Sequence, residues 1–261
     1  MNSPLRRRRL LVVAGHDPSG AGVTADRAAV SGLDIDVEFV TTAHTLQDAG
    51  GVRAIGAVDP DQWSQAARAH AESRIDAVKF GLLPGAQHVS AATQLVNELR
   101  ARFGADLPVV VDPVLAASSG TRFVDEECVE MLRGELFGAH VIAAPNIDEA
   151  AELAHLPRRR LVDSCAARAE AAGILLGLGL AAVVIKGGHG NEDPVRDLLV
   201  EAGRRGIEIE HARLEGASIR GSGCRFATHL AARLAMGETL ESAARHAVGH
   251  VAAALAASGA R

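Results

Sequence analysis

Short apolar segments alternate with helical patterns along almost the whole chain, and this alternation constrains the fold more than any other feature. Each segment is apolar on both faces, as a strand covered on both sides of a parallel sheet requires. The segments are residues 10–14, 37–42, 77–80, 109–111, 141–144 and 182–185. Helical spacing is present in residues 23–31, 60–73, 89–103, 125–136, 147–154, 163–176, 224–236 and 240–255, with Asp59 and Asp163 as caps.

This order predicts an α/β fold of three layers, in which a central, mostly parallel sheet is flanked by helices. Residues 197–201 and 207–213 flank the sequence GRRG and predict a hairpin, which adds an antiparallel edge. The chain of 261 residues contains no internal repeat and no low-complexity linker. We therefore expect a single domain over residues 1–261, with the basic residues 1–9 as a flexible terminus.

Composition disfavours several classes of protein. The net charge of −5 gives no electrostatic case for binding nucleic acid. No segment approaches the roughly 20 apolar residues that span a bilayer, and the apolar run after residues 6–9 is too short for a signal peptide. We therefore expect neither a nucleic-acid nor a membrane partner. The three cysteines, Cys128, Cys165 and Cys224, are odd in number and far apart, which disfavours a disulfide framework or zinc site and predicts a cytoplasmic location.

A glycine-punctuated turn at residues 219–226, IRGSGCRF, runs directly into a helical pattern. Glycines let backbone N–H groups converge, and a helix N-terminus carries about half a positive charge, so this turn can hold an anion. A thiol at that positive end loses its proton more easily than its reference pKa of about 8.5 indicates. Cys224 is therefore a candidate proton acceptor beside a bound phosphate. The alternative is an ordinary glycine-rich loop with a small buried cysteine.

Other motifs all follow predicted strands, and the carboxyl ends of parallel strands meet at one edge of a sheet, where ligands bind. Taken alone, Asp112-Pro113 also fits a strand-ending turn, and Gly187-Gly188 fits a hairpin or cap. Their shared edge predicts one site. The motifs are the loop 15–22, Gln47, Gly81-Leu82, Asp112-Pro113-Val114, Asn146 and Lys186.

Two polar features at this edge have alternative explanations. Asn146 and Glu149 lie three residues apart at a helix start, where N-x-x-E is a good capping pair. Lys186 ends the apolar segment VVIK, where a charge is costly unless it meets an anion or reaches the strand end.

Seven segments of the chain share their order and spacing with a known family. From about residue 10 to about residue 251 the chain resembles the hydroxymethylpyrimidine and phosphomethylpyrimidine kinases of thiamine biosynthesis, within the ribokinase-like superfamily. Seven matches in register are more specific than any one of them. The segments are AGHDPSGAGVTAD, TTAHTLQDAGGV, VKFGLLPG, VVVDPV, PNIDEAAEL, VVIKGGH and GSGC.

The resemblance implies a kinase that uses ATP and Mg²⁺ to phosphorylate the hydroxymethyl group of 4-amino-5-hydroxymethyl-2-methylpyrimidine and then its monophosphate. It implies that Cys224 is the base and that Gly221, Ser222 and Gly223 complete the anion hole. It implies nucleotide contacts from Asn146, Lys186, Gly187 and Arg220, and magnesium contacts from Glu149 and Asp112. The implied pyrimidine contacts are Gly15, Asp17, Asp26, Gln47, Leu82 and Val114. Asp26 alone also fits an ordinary carboxylate in the first turn of a helix.

Two other functions remain open: a pyridoxal or pyridoxine kinase, and a pyrimidine-binding sensor that has lost turnover. We expect a homodimer. The chain also departs from the family pattern, because DPSGAG is one residue shorter than the common DPSGGAG, and RGSGCRFATHL replaces HGTGCTLSSAI. The second change places Arg220 and Arg225 beside the anion turn, where they could strengthen phosphate binding or block the usual geometry.

Overall fold

The computed structural model describes residues 6–48, 51–117, 119–214 and 216–259. Its strands form a nine-stranded sheet in the order β3-β2-β1-β4-β5-β6-β7-β8-β9. The strands from β2 to β7 in that order run parallel, which confirms the predicted sheet. The bounds are β1 (Arg8–His16), β2 (Ile35–Asp48), β3 (Gly51–Ala57), β4 (Ala77–Phe80), β5 (Val109–Val111), β6 (Ile142–Ala143), β7 (Ala182–Ile185), β8 (Val195–Glu201) and β9 (Ile207–His211).

Helices cover both faces of the sheet, so the predicted three layers are confirmed. Alternate side chains of β1 show why: Leu11 and Val13 belong to a core shared with α2 to α7, whereas Leu10 and Val12 pack with α1, α8 and α9. The helices are α1 (Val23–Ala29), α2 (Pro60–His70), α3 (Ala86–Phe103), α4 (Glu126–Met131), α5 (Ile147–Leu153), α6 (Arg158–Val162), α7 (Cys165–Gly177), α8 (Ser222–Ala235) and α9 (Leu240–Gly259). None of the helices in the described ranges is both long and apolar enough to cross a membrane.

Local chemistry sets the helix ends. The Asp59 carboxylate accepts the backbone N–H groups of residues 61 and 62 and caps α2, as predicted. The predicted cap Asp163 is wrong, because the hydroxyl of Ser164 caps α7 and Asp163 instead ends α6. The predicted helix over residues 125–136 is α-helical only to Met131 and continues as one π-helical turn over Leu132–Leu136.

Antiparallel pairing occurs at both ends of the sheet. The predicted hairpin is confirmed as β8 and β9. The pair of β2 and β3 was not predicted, because the sequence of β3, GVRAIGA, contains two glycines and lacks a regular apolar alternation. This pair leaves Leu46 58% exposed and Ile55 37% exposed.

The basic N-terminal segment is partly structured. Strand β1 begins at Arg8, and the buried carboxylate of Asp76 accepts the backbone N–H of Arg9 at 2.8 Å. The Asp76 carboxylate also pairs with the guanidinium of Arg6 at 2.5 Å and with that of Arg8 at 3.2 Å. A flexible terminus as far as residue 9 is therefore wrong for these arginines, and residues 1–5 lie outside the described ranges.

Candidate active site

The loop that follows β1 folds back on itself at the carboxyl edge of the sheet. Gly22 has a φ of 54°, and a β carbon at this position would lie 2.0 Å from the carbonyl oxygen of Gly15. Gly22 therefore has to be glycine, both for its backbone conformation and for its close contact with residue 15. This contact closes the loop 15–22 into a compact turn beside the start of α1.

The glycine-rich turn before α8 packs on that loop. Gly221 is the N-cap residue of α8 with a φ of 71°, and a β carbon there would lie 2.6 Å from the β carbon of Ala25. Among the residues that the structure describes, no side chain makes a capping hydrogen bond to the start of α8. The N–H groups in the first turn of a helix have no intrahelical partners. The turn thus leaves amide donors at the positive end of a 14-residue helix, an arrangement that suits an anion.

An ion pair lies next to this turn. Lys186 Nζ donates to Asp112 Oδ1 at 2.8 Å, and the two residues follow β7 and β5. A β carbon on Gly223 would lie 3.0 Å from Lys186 Nζ and 3.6 Å from Asp112 Oδ1. Gly223 therefore leaves room for the ammonium group to meet the helix N-terminus. The structure brings Asp112, Lys186 and the glycine turn together, as the sequence predicted.

Cys224 lies in the first turn of α8 and is partly exposed. The pKa of its thiol is raised to about 12, mainly by desolvation and in smaller part by the carboxylates of Asp112 and Asp26. The ammonium group of Lys79 and the backbone amide of Gly22 act in the opposite direction. The prediction of a lowered pKa for the Cys224 thiol is therefore wrong for the protein alone, since desolvation outweighs the neighbouring cation and the helix N-terminus.

Asn146 and Glu149 form the capping box that their spacing predicted. Asn146 Oδ1 accepts the N–H of Glu149 at 2.9 Å, and Glu149 Oε2 accepts the N–H of Asn146 at 2.8 Å. Burial raises the pKa of Glu149 to about 8; Lys186 opposes the shift and Asp112 adds to it. A nearby cation would stabilise the ionised form of this carboxyl group.

The carboxylates of Asp112 and Glu149 are suited to magnesium that is shared with phosphates. In the described residues, no group of three or more His, Cys, Asp or Glu side chains could hold a metal ion. A cage made by the protein alone is therefore not present in that part of the chain. Mg²⁺ in phosphoryl-transfer sites typically uses one or two carboxylates, with phosphates and water completing its shell. The donor set fits that arrangement.

The structure corrects the expectation for Asp26. Its side chain is fully buried, and its Oδ1 accepts hydrogen bonds from Lys79 Nζ at 3.0 Å and from Thr228 Oγ1 at 2.7 Å. Asp26 therefore lies behind the site and is not on its surface, so the predicted pyrimidine contact is wrong for this conformation. Oδ2 of Asp26 is also buried and makes no hydrogen bond to any residue in the described ranges.

Lys79, the partner of Asp26, was not singled out in the sequence, although the sequence carries a signal for it. Lys79 and Lys186 are the two lysines of this chain, which has 27 lysines and arginines in total. Both lie at the carboxyl edge of the sheet. Because lysine and arginine differ in shape and hydration, a chain that otherwise uses arginine marks these two positions as special.

The other predicted pyrimidine contacts lie at the same edge. A β carbon on Gly15 would lie 3.1 Å from Leu82 Cδ2, so these two residues touch. Val114 is half-buried, and its N–H donates to the carbonyl of Asp112. Asp17 is buried and accepts the backbone and hydroxyl donors of Ser19, so it stabilises the loop. Gln47 belongs to β2, and its side chain lies outside what the structure describes.

Two predicted nucleotide contacts have partners within the protein. The N–H of Gly187 donates to Asp197 Oδ1 at 2.6 Å, which removes this donor from phosphate binding. A β carbon on Gly187 would meet the carbonyl oxygen of Arg196 at 2.0 Å, so packing against β8 requires the glycine. Arg220 donates to Ser19 Oγ at 3.1 Å and links the anion turn to the loop 15–22.

A cavity of about 400 Å³ lies elsewhere, between the β8–β9 hairpin and the start of α9. None of the predicted site residues lines it. Because this cavity lacks the convergent strand ends, the glycine turn and the lysines, the candidate site stays at the carboxyl edge. The lining residues are Leu199, Glu201, Arg204, Arg205, Ile207, Thr239, Leu240 and Glu241.

Comparisons with known proteins identify the family of this chain. The family model for phosphomethylpyrimidine kinase matches residues 17–260. The hydroxymethylpyrimidine/phosphomethylpyrimidine kinase of Bacillus subtilis (strain 168) is 33% identical over 238 residues, which cover 90% of this chain and 84% of that protein. The thiamine biosynthesis bifunctional protein ThiED of Geobacter sulfurreducens is 33% identical over 255 residues, which cover 97% of this chain. The match covers 50% of ThiED, so this chain spans half the length of that relative.

The fold also occurs in solved structures. An ADP complex of Bacillus subtilis pyridoxal kinase has a TM-score of 0.81 at 25% identity, covering 94% of this chain and 90% of that one. The predicted ribokinase-like fold is thereby confirmed. On the family match over residues 17–260 and the identity to the Bacillus subtilis relative, this chain belongs to the phosphomethylpyrimidine kinase family of phosphotransferases.

Proposed function

We propose that this protein transfers the γ-phosphoryl group of ATP to the hydroxymethyl group of 4-amino-5-hydroxymethyl-2-methylpyrimidine, and then phosphorylates the resulting monophosphate. The family membership supports the reaction class. One structural observation carries the proposal: Lys186 Nζ lies 3.0 Å from the point where a β carbon on Gly223 would lie, at the uncapped start of α8. A cation and a row of amide donors at one point suit a transferring phosphoryl group.

The glycine turn and Lys186 would bind the charge that develops on the phosphoryl oxygens. Amides at the start of α8 are fixed by the tight packing of Gly221 on Ala25, so they need little reorganisation during the reaction. Lys186 would exchange Asp112 for phosphate oxygens as its partner. ATP as the donor is also supported by the pyridoxal kinase neighbour, which was solved with ADP.

Asp112 and Glu149 would hold Mg²⁺ together with the nucleotide phosphates. The ion would supply positive charge for the phosphoryl group as it transfers. Glu149 uses Oε2 for its capping box, which leaves Oε1 for a water of the metal shell. The Asp112 carboxylate raises the pKa of Cys224, and the positive charge of the ion would reduce this effect.

Cys224 would accept the proton of the pyrimidine alcohol. This role is supported by the position of Cys224 in the first turn of α8, where the phosphate is proposed to bind. A thiol whose pKa is raised to about 12 is a poor base at neutral pH, so the role requires neighbouring cations that favour the thiolate. Lys79, which already lowers this pKa, is one such cation.

The pyrimidine would lie against Gly15, Leu82 and Val114, with Gln47 as the proposed polar partner. An apolar wall with a few polar groups suits a neutral aminopyrimidine. Pyridoxal is the second candidate substrate, because a pyridoxal kinase has the same fold. The family match and the relatives that share one third of their residues favour the pyrimidine alcohol.

We further propose a single-domain enzyme of the cytoplasm that forms a homodimer. Cys128, Cys165 and Cys224 are all free, in keeping with a reducing compartment. Leu46 and Ile55 are exposed on the antiparallel pair of β2 and β3, at one edge of the sheet. An edge with exposed apolar side chains is suited to pairing with a second copy of the chain.

A coupled assay of ADP release tests the proposed function. The purified chain would be offered ATP and Mg²⁺ with the pyrimidine alcohol, its monophosphate, pyridoxal or pyridoxine. We expect turnover with the first two. Turnover with pyridoxal alone would replace the substrate assignment, and tight pyrimidine binding without ADP release would favour the sensor.

A further inference from the structure

Lys79 is a buried cation that points toward the candidate site. It lies in β4, whose sequence is AVKF, and its side chain is fully buried. Its Nζ is 2.9 Å from the point where a β carbon on Gly81 would lie. Residues 79 and 81 share one face of the chain, so the ammonium group extends toward the carboxyl end of β4. Gly81 leaves the space that it occupies.

Lys79 also belongs to a buried cluster beside Cys224. The ammonium group donates to Asp26 Oδ1 at 3.0 Å, and Thr228 Oγ1 donates to the same oxygen at 2.7 Å. Thr228 follows Cys224 by four residues in α8, so both side chains lie on one side of that helix. The cluster is therefore one helical turn from the thiol.

The charges in this cluster act on the thiol with opposite signs. Among the charged groups that shift the pKa of Cys224, Lys79 has the largest effect and lowers it, whereas Asp112 and Asp26 raise it. The interaction is mutual, because Cys224 contributes to raising the pKa of Lys79. A buried ammonium is costly unless anions compensate it, and Asp26 provides one compensating charge.

We propose that Lys79 is a positioning residue that stabilises the thiolate of Cys224 during phosphoryl transfer, and that Asp26 and Thr228 hold its ammonium group in place. This inference rests on the proposed function of Cys224 as the base. In the step it supports, the O–H bond of the alcohol breaks and its proton passes to Sγ. The alcohol oxygen bonds to the γ-phosphorus, the bond to the bridging oxygen breaks, and its electrons leave with ADP. The thiol then returns its proton to water.

The competing explanation is that Lys79 and Asp26 form only a structural ion pair between β4 and α1. Both explanations predict lower stability when the pair is changed. They differ in the acidity of Cys224, because a purely structural pair does not affect how readily the thiol ionises. The decisive measurement is therefore the ionisation of the Cys224 thiol and not the melting temperature.

The test compares the alkylation of Cys224 in three proteins. The changed protein is the neutral pair Lys79→Gln with Asp26→Asn, which can keep a hydrogen bond between the two side chains. The matched control is Asp76→Asn, which removes a buried charge beside the opposite end of β4. Iodoacetamide labelling is followed from about pH 6 to pH 9, and mass spectrometry of the Cys224 peptide separates it from Cys128 and Cys165.

We expect the neutral pair to label at least about tenfold more slowly than the unchanged protein at about pH 8, which corresponds to one pKa unit. This direction is expected because the effect of Lys79 on the thiol exceeds that of Asp26. The Asp76→Asn control should label at the unchanged rate. Equal labelling of the folded neutral pair and the unchanged protein would overturn the proposal and leave a structural ion pair.

If the neutral pair does not fold, a second measurement tests the interaction between Lys79 and residue 224. With two lysines in the chain, lysine-labelled protein gives two side-chain ammonium signals by NMR. Cys224→Asp places a fixed anion near the thiolate position, and Cys224→Ala places none. We expect the Lys79 signal to differ between these variants; an unchanged signal would overturn the proposal. Both tests proceed without substrate, so failure of the proposed kinase activity is observed separately.

Discussion

His229 on α8 is expected to make the protein sensitive to acid, because it is held in its neutral form. It is 5% exposed; its Nδ1 lies 2.9 Å from the carbonyl oxygen of Ala29, and its Nε2 accepts from Arg233 Nε at 3.1 Å. The ring also stacks on His250 at 4.4 Å. Burial, followed by the charges of His250 and Arg233, lowers the pKa of His229 from 6.5 to about 4, and the carbonyl of Ala29 opposes this only in part.

The sign and size of the effect follow from this shift. Because the folded-state pKa lies below the unfolded value, the unfolded chain binds more protons between about pH 6.5 and pH 4. The stabilising contribution is therefore present above pH 6.5 and is lost as the pH falls toward 4. One pKa unit corresponds to about 1.4 kcal/mol, so lowering the pH from about 7.5 to about 5 should remove about 2 kcal/mol of unfolding free energy through His229.

Urea unfolding of the unchanged protein and of His229→Gln at the two pH values measures this term. Trp63 is the only tryptophan and is 1% exposed, so its fluorescence reports the transition. The unchanged protein should lose about 2 kcal/mol more than the variant, while other acid-sensitive groups affect both equally. His246→Gln, at an exposed histidine paired with Glu238, is the matched control. Equal losses of unfolding free energy in the unchanged protein and in His229→Gln would contradict this prediction.

Three further predictions concern the site itself. Cys224→Ala should fold and bind nucleotide but lose roughly 10²- to 10⁴-fold in kcat, the range of general base catalysis, whereas near-normal turnover would remove Cys224 from the mechanism. Glu149→Gln should raise the Mg²⁺ concentration for half-maximal activity more than Asp148→Asn does; unchanged magnesium dependence would leave Glu149 as a helix cap. Lys186→Met should weaken ATP binding measured by calorimetry and leave pyrimidine binding intact, and loss of pyrimidine binding alone would contradict its place beside the phosphates.

The central strands could be predicted because their continuous apolar segments indicate burial on both faces. Strands β4, β5 and β7 have the predicted bounds, since each is a short, continuous, apolar segment with the one exception of Lys79. The strand β3 could not be predicted in the same way. It is an edge strand whose ladder with β2 depends on tertiary pairing, and its own residues carry little apolar pattern.

The proximity of the candidate site residues could be predicted from the sequence better than their electrostatics could. Glycine turns and polar residues after strands fixed where Asp112, Lys186 and the start of α8 meet. Burial could not be read from spacing, and burial decides both the raised pKa of Cys224 and the enclosure of Asp26. Gly187 shows the same limit, because its close contact with the backbone of Arg196 in β8 depends on how the turn after β7 packs on that strand.

The proposed substrate is tested most directly by the ratio of kcat/KM for the aminopyrimidine alcohol to that for pyridoxal, measured with ATP and Mg²⁺ on the unchanged protein. A site that hydrogen-bonds the aminopyrimidine leaves its own polar groups unpaired when another ring binds, and such mismatches cost several kcal/mol. We expect a ratio of at least about tenfold in favour of the pyrimidine alcohol. A higher kcat/KM for pyridoxal, or no phosphorylation of the pyrimidine alcohol, would contradict it.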